Sequence, residues 1–150
     1  MDSDVKCAAF IDVKVAPQKE AALATTAELL ANQWSIDGKE LYASFVNREA
    51  ESSTGFGDGI AIPHAKVSGL EAPVVGILTY ADPVEWAAID EQPVSLAIAL
   101  IVPTKADQVH LRLLSKLARK LVDHDYAEGL RRSAHDAAQL TKQVQQALAE

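Results

Sequence analysis

The chain has 150 residues but only one cysteine, one methionine and two tryptophans. A lone thiol, Cys7, excludes an internal disulfide and any paired-cysteine metal or redox motif. Long hydrophobic runs are missing too. The longest, Ser95–Pro103 and Val74–Tyr80, fall well short of the ~20 apolar residues that span a bilayer. Positive charge is scarce: 14 Lys and Arg stand against 21 Asp and Glu, for a net charge of −7. With no basic cluster to offset that balance, binding to a nucleic-acid phosphate backbone is excluded. An acidic surface favours encounter with a basic protein instead. The first residues, MDSDVKCAAFIDVKV, are acidic where a secretory signal is basic, so a cytoplasmic location is expected. Repeats, low-complexity tracts and long linkers are also lacking. With 49% apolar residues, the chain can bury a core. A single domain over residues 1–150 is expected.

Cys7–Val13 is rich in apolar and β-branched residues and reads as a buried strand. Pro17 suits the first turn of a helix whose apolar face is Leu23, Ala27, Leu30 and Trp34. Asp37 and Glu40 have capping-box spacing, opening a second helix that buries Leu41, Tyr42, Phe45 and Val46. Strands are expected at Ile60–Ile62, Val74–Tyr80 and Val94–Val102, the last apolar throughout, as a central strand covered on both faces would be. Asp107 is the expected N-cap of an amphipathic helix with His110, Leu111, Leu114, Leu117, Ala118 and Leu121 along one face. A short helix over Tyr126–Arg132 and a last one opening near Ser133, with Asp136 at capping-box spacing, complete the chain. The fold class is therefore α/β: a three-layer α/β/α sandwich whose mixed central sheet is flanked by helices.

Chemistry concentrates in Gly55–Ala65, GFGDGIAIPHA. Ser52–Gly59 holds three of the seven glycines and reads as a tight loop rather than regular structure. Glycines let backbone amides approach an anion closely. Pro63 restricts its own backbone and that of Ile62, so the base of His64 is held stiffly at a strand end, where open α/β sheets place their sites. Imidazole titrates near neutrality, with an ordinary pKa of about 6.5, and when neutral it is a nitrogen nucleophile.

Arg48-Glu49, Ser53-Thr54-Gly55 and Gly59-Ile60-Ala61-Ile62-Pro63-His64 together resemble the signature of the fructose/mannitol enzyme IIA family of the sugar phosphotransferase system. Val84–Asp90 with Pro93-Val94, and His110-Leu111 with Leu114–Ala118, resemble that family's later blocks, so the likeness covers nearly the whole chain. Two departures are Phe56, where an aliphatic residue is usual, and Gln108-Val109 in a variable stretch.

The resemblance implies a phosphotransferase that carries a phosphoryl group on His64. It makes His110 the second active-site histidine and Arg48 a basic group beside them, with Ser53, Thr54, Gly55, Gly57 and Gly59 framing the phosphate. The implied donor is the histidine carrier HPr. The implied acceptor is a cysteine of enzyme IIB, coupled to a membrane enzyme IIC that takes up a fructose- or mannitol-type sugar. Neither a cofactor nor a metal is implied. Transfer would rest on positioning and charge stabilisation of a loose, in-line transition state. The nitrogen-type regulatory IIA proteins share the same fold and histidine and form the alternative; a hydrolase with a phosphohistidine intermediate is a more distant one.

Plainer roles are expected elsewhere. Asp58 reads as a turn residue before an orienter of a histidine. His124 and His135 read as surface or capping groups, and Cys7 as a buried, inert thiol, which puts the acceptor cysteine on another chain. Trp34 and Trp86 read as core, while Tyr80–Asp90 is a candidate rim of the site.

Overall fold

Alternation along one strand organises the molecule. Between Leu96 and Val102, the even-numbered residues join one apolar cluster and Ala97, Ala99 and Ile101 join a second on the opposite face. A strand with helices on both sides requires this period of two. The computed structural model describes residues 5–105 and 107–149, with Asp107 described by its backbone alone. In chain order the elements are β1 (Lys6–Val13), α1 (Lys19–Trp34), α2 (Gly38–Glu51), β2 (Gly55–Gly57), β3 (Ile60–Ala61), β4 (His64–Val67), β5 (Val74–Val84), β6 (Val94–Pro103), α3 (Asp107–Val122), α4 (His124–Arg132) and α5 (Ala137–Ala149).

The strands form one sheet in the order β1-β5-β6-β3-β2, with β4 also paired to β6. β1 runs parallel to β5, β5 antiparallel to β6, and both β3 and β4 parallel to β6, so the sheet is mixed as expected. Helices α1 and α2 cover one face, where Leu23, Leu30, Leu41 and Phe45 are fully buried. Helices α3, α4 and α5 cover the other with Leu113, Leu117, Leu130, Leu140 and Val144. Burying each such side chain stabilises the fold by roughly 1.5–3 kcal/mol. On the first face α1 comes close because Gly76 offers no side chain. A Cβ there would lie 2.4 Å from Leu30 Cδ2, well inside van der Waals contact.

Several local expectations are corrected. The glycine-rich segment is partly regular: β2 pairs antiparallel with β3 in a hairpin turned at Asp58 and Gly59, both at positive φ. His64 does not end a strand but begins one. β3 pairs with Leu96 and Ala97, and β4 pairs with Leu100–Pro103, so both lie along β6 with Ile62-Pro63 between them. Proline lacks an N–H, which interrupts the ladder at that point.

Helix α1 starts after Gln18, not at Pro17, because the Pro17 carbonyl is taken by Glu85 N–H at 3.0 Å. Asp37 does cap α2, accepting from the amides of Lys39 and Glu40, but the Glu40 carboxylate reaches across to Ser68 instead of closing the box. On α3 the buried stripe is Leu113, Leu117 and Leu121, whereas Leu111 is 64% exposed. Ser133 ends α4 rather than opening α5, and it is Asp136 whose carboxylate receives the Gln139 amide at 3.0 Å. The capping role expected of the Asp107 side chain lies outside the described residues. Among them, no helix is long and apolar enough to cross a membrane.

Candidate active site

The break at Pro63 leaves the Ile62 carbonyl outside the ladder, and His64 uses it. Its Nδ1 lies 2.5 Å from Ile62 O. A carbonyl only accepts, so Nδ1 carries the proton and the lone pair is on Nε2. Residue His64 is 6% exposed, yet it lines a cavity of about 310 Å³ together with Ser44, Asn47, Arg48, Glu51, Ala65, Lys66 and His110. Asn47, Glu51 and Lys66 on its border are exposed, so the ring is reached from solvent through them. The His64 and His110 ring centroids are 5.2 Å apart, with the planes tilted by 57°. Burial first and the Arg48 guanidinium second push the His64 pKa down to about 4; the Ile62 carbonyl opposes them, and His110 adds the smallest downward push. At neutral pH the ring is therefore an uncharged nucleophile with its tautomer set.

Arg48 occupies the last turn of α2 and donates through Nη1 to Ser52 O at 2.9 Å, closing the end of that helix. Its guanidinium keeps further donors. Ser44, Asn47, Arg48 and Glu51 stand at helical steps of three and four residues, so one face of α2 makes one wall of the cavity. Lys66 comes from β4, two residues beyond His64 and so on the same side of that strand. Its amide donates to Ser44 Oγ at 2.9 Å, tying β4 to α2. Ser44, Asn47, Glu51, Ala65 and Lys66 were not picked out by sequence reasoning. The helical period around Arg48 and the strand period around His64 were the available signals.

The glycine-rich segment sits differently. Among the described residues that line the cavity, none comes from Ser53–Gly59. Thr54 donates its amide at 3.0 Å to Glu49 Oε1, and its hydroxyl bonds Glu49 Oε2. Thr54 Oγ1 also accepts from Trp86 Nε1 at 3.3 Å. Ser53 Oγ donates to Trp86 O and accepts from the Gly55 amide. Lys19 completes the group at 3.1 Å from Glu49. Gly55 is required by contact, since a Cβ would come 2.6 Å from that of Ala88. Gly57 and Gly59 take positive φ beside Asp90 and Ser95. These residues lock the hairpin to the Val84–Asp90 segment, and the Thr54 carbonyl accepts from the Ile62 amide. They hold the strand that carries His64 instead of facing the cavity. Glu49, 6% exposed in its side chain, is the central group of this lock and was seen in the sequence only as part of a motif.

A constellation of a pinned neutral histidine, a second histidine and an arginine around a small cavity fits transfer of an anionic group. The sequence model of the EIIA 2 component of the phosphoenolpyruvate-dependent sugar phosphotransferase system matches residues 7–147. The chain belongs to this family. EIIA components are phosphotransferases that carry phosphoryl groups on histidine. A nitrogen regulatory protein of Pseudomonas aeruginosa is 39% identical over 114 residues, covering 75% of this chain and 74% of its own length. A fructose-specific EIIA component of Haloferax volcanii is 33% identical over 113 residues, covering 75% and 73%. The crystal structure of the nitrogen regulatory IIA protein from Neisseria meningitidis superposes with a TM-score of 0.77 at 29% identity, covering 99% of this chain and 94% of that one.

Within this EIIA fold, the other histidines, Asp58, Cys7, Tyr80 and Trp86 do not line the cavity of the histidine pair. His124 faces Asp58 at 3.5 Å and His135 faces Asp12 at 3.1 Å, both largely exposed. Asp58 serves the hairpin turn, its amide held by Asp90 at 2.9 Å and its carbonyl by Arg131. Cys7 is half-buried, and burial pushes its thiol up to about 11, so it stays protonated. Trp86 is fully buried. Tyr80, whose hydroxyl pairs with Thr26 at 2.9 Å, is pushed up to about 12 by burial. Among the described residues no group of three or more His, Cys, Asp or Glu side chains comes together as a metal site.

Proposed function

We propose that the chain acts as one cytoplasmic domain that takes a phosphoryl group from phosphorylated HPr onto His64 Nε2. It then passes the group to a cysteine of enzyme IIB, serving an enzyme IIC permease for a fructose- or mannitol-type sugar. The observation that carries this reading is the His64 ring itself: neutral, held through Nδ1 by Ile62 O, and turned into a cavity beside His110 and Arg48. The Nε2 lone pair attacks phosphorus in line, the donor's N–P bond breaks, and that bonding pair returns to the donor ring. His64 loses no proton, because Nε2 carries none. In the onward step the acceptor thiolate forms the S–P bond as the N–P bond breaks, and the pair returns to Nε2. His110 and Arg48 hold the equatorial oxygens, where negative charge spreads in a loose transition state. The Ser53–Gly59 hairpin supports this at one remove by holding the chain just before His64.

Incubation with phosphorylated HPr, read by mass spectrometry, tests the reading. Wild type gains one acid-labile phosphoryl group and His64→Gln gains none. His110→Ala is expected still to take up phosphate but to pass it on slowly. Phosphate on His64→Gln, or unchanged onward transfer by His110→Ala, removes the corresponding residue from its role.

A second reading, a regulatory IIA protein that binds partners according to its phosphorylation state, is favoured by the higher identity to the Pseudomonas aeruginosa nitrogen regulatory protein. Transfer to enzyme IIB separates the two. A transport component discharges fully onto the IIB cysteine, whereas a regulator stays phosphorylated.

A further inference from the structure

The wall of the cavity made by α2 presents more than an arginine. Ser44, Asn47 and Arg48 stand at successive steps of three and one, and all three line the space that His64 and His110 face. Ser44 Oγ accepts the Lys66 amide, which leaves its hydroxyl hydrogen available as a donor. Arg48 spends one N–H on Ser52 O. Asn47 has no hydrogen-bond partner among the described residues, is exposed, and carries two amide hydrogens. An uncharged carboxamide suits this place. It adds donors for an anion without adding to the positive charge of Arg48, and without the carboxylate of Glu51, which borders the same space and repels a dianion.

We propose that the Asn47 carboxamide donates to an oxygen of the phosphoryl group on His64, as a further binding residue that favours its dianionic form. This rests on the phosphocarrier reading of His64. Asn47 donates to an equatorial oxygen from the α2 side while His110 approaches from α3, so the group is held from two directions. A phosphoryl group held by donors on both sides keeps its orientation for in-line attack. It also resists protonation, because hydrogen bonds to the charged form favour that form.

The test uses the full chain phosphorylated with phosphoramidate, which needs no protein donor, and follows the 31P resonance against pH. In Asn47→Ala the titration midpoint of the phosphoryl group is expected to rise by about half a pH unit, a threefold change in proton affinity. Asn47→Asp, which sets a carboxylate beside the dianion, raises it further, and Asn47→Gln restores part of the wild-type value. The melting temperature of Asn47→Ala stays within error of wild type, since the residue is exposed. A phosphorylated wild type whose midpoint matches that of Asn47→Ala overturns the role of Asn47 alone. If phosphoramidate puts no phosphoryl group on wild-type His64, the carrier reading falls and this proposal falls with it.

Discussion

His64 and His135 carry the same ring, and each is held through Nδ1 by an oxygen, at 2.5 Å and 3.1 Å. Everything around the two rings differs. The oxygen beside His64 is the uncharged carbonyl of Ile62, its neighbours are Arg48 and His110, and the residue is 6% exposed. The oxygen beside His135 belongs to the Asp12 carboxylate, and the side chain is 78% exposed. The Ile62 carbonyl orients the His64 ring and favours its protonated form, but by less than burial and Arg48 disfavour it. Burial and a nearby guanidinium then work against that form directly. What sets His64 apart from His135 is therefore the set of groups that keep it neutral while orienting it.

The largest expected consequence of this difference is in stability against pH. Because the folded pKa of His64 lies at about 4, below its ordinary value of 6.5, the unfolded chain binds more protons between those limits. Stability is fully present above pH 6.5 and is lost as pH falls towards 4, by up to about 3 kcal/mol. Denaturant midpoints measured across that window should show the loss in wild type and in His135→Gln, and a smaller loss in His64→Gln. An equal loss in all three would break the comparison.

A smaller effect isolates one cause. Replacing Arg48 by Met removes the second-largest influence on His64, so its NMR titration should move up from about 4 towards 6.5. It stops short of 6.5 because burial, the largest cause, remains. No movement would take Arg48 out of the electrostatics of the site. The smallest effect belongs to the exposed pair. Asp12→Asn should change stability by no more than about 0.5 kcal/mol, since exposed ion pairs are solvated and flexible. A larger loss would mean that the link between the end of β1 and the α4–α5 connection carries structural weight that its exposure hides.

The sequence was a good guide where one period or one residue type decides the outcome. Strong helical periods marked α2 and α3, and the apolar run Val94–Val102 marked the central strand. It misled where several weak signals compete. Three leucines on α3, Leu111, Leu113 and Leu114, lie within a single turn, and the direction of the sheet, not their own pattern, chose Leu113 for the core. Glycines at 55, 57 and 59 signalled a loop, but the close approach of Ala88 to Gly55 and the pairing of β2 with β3 made it a hairpin. The motif Arg48-Glu49 held two unrelated roles one residue apart. Arg48 borders the cavity, and Glu49 turns away to hold Thr54 and Lys19.

By itself the sequence determined that a sheet lies between helices and that Pro63 stiffens the chain at His64, because local periodicity and proline's fixed geometry act over a few residues. Only the tertiary structure decided that the His110 ring on α3 comes to 5.2 Å, centroid to centroid, from the ring of His64, and that the α2 face with Ser44 and Asn47 lines the cavity. It also decided that the ring is neutral. Those outcomes depend on burial and on groups brought together across 46 positions of chain between His64 and His110, which no local pattern encodes.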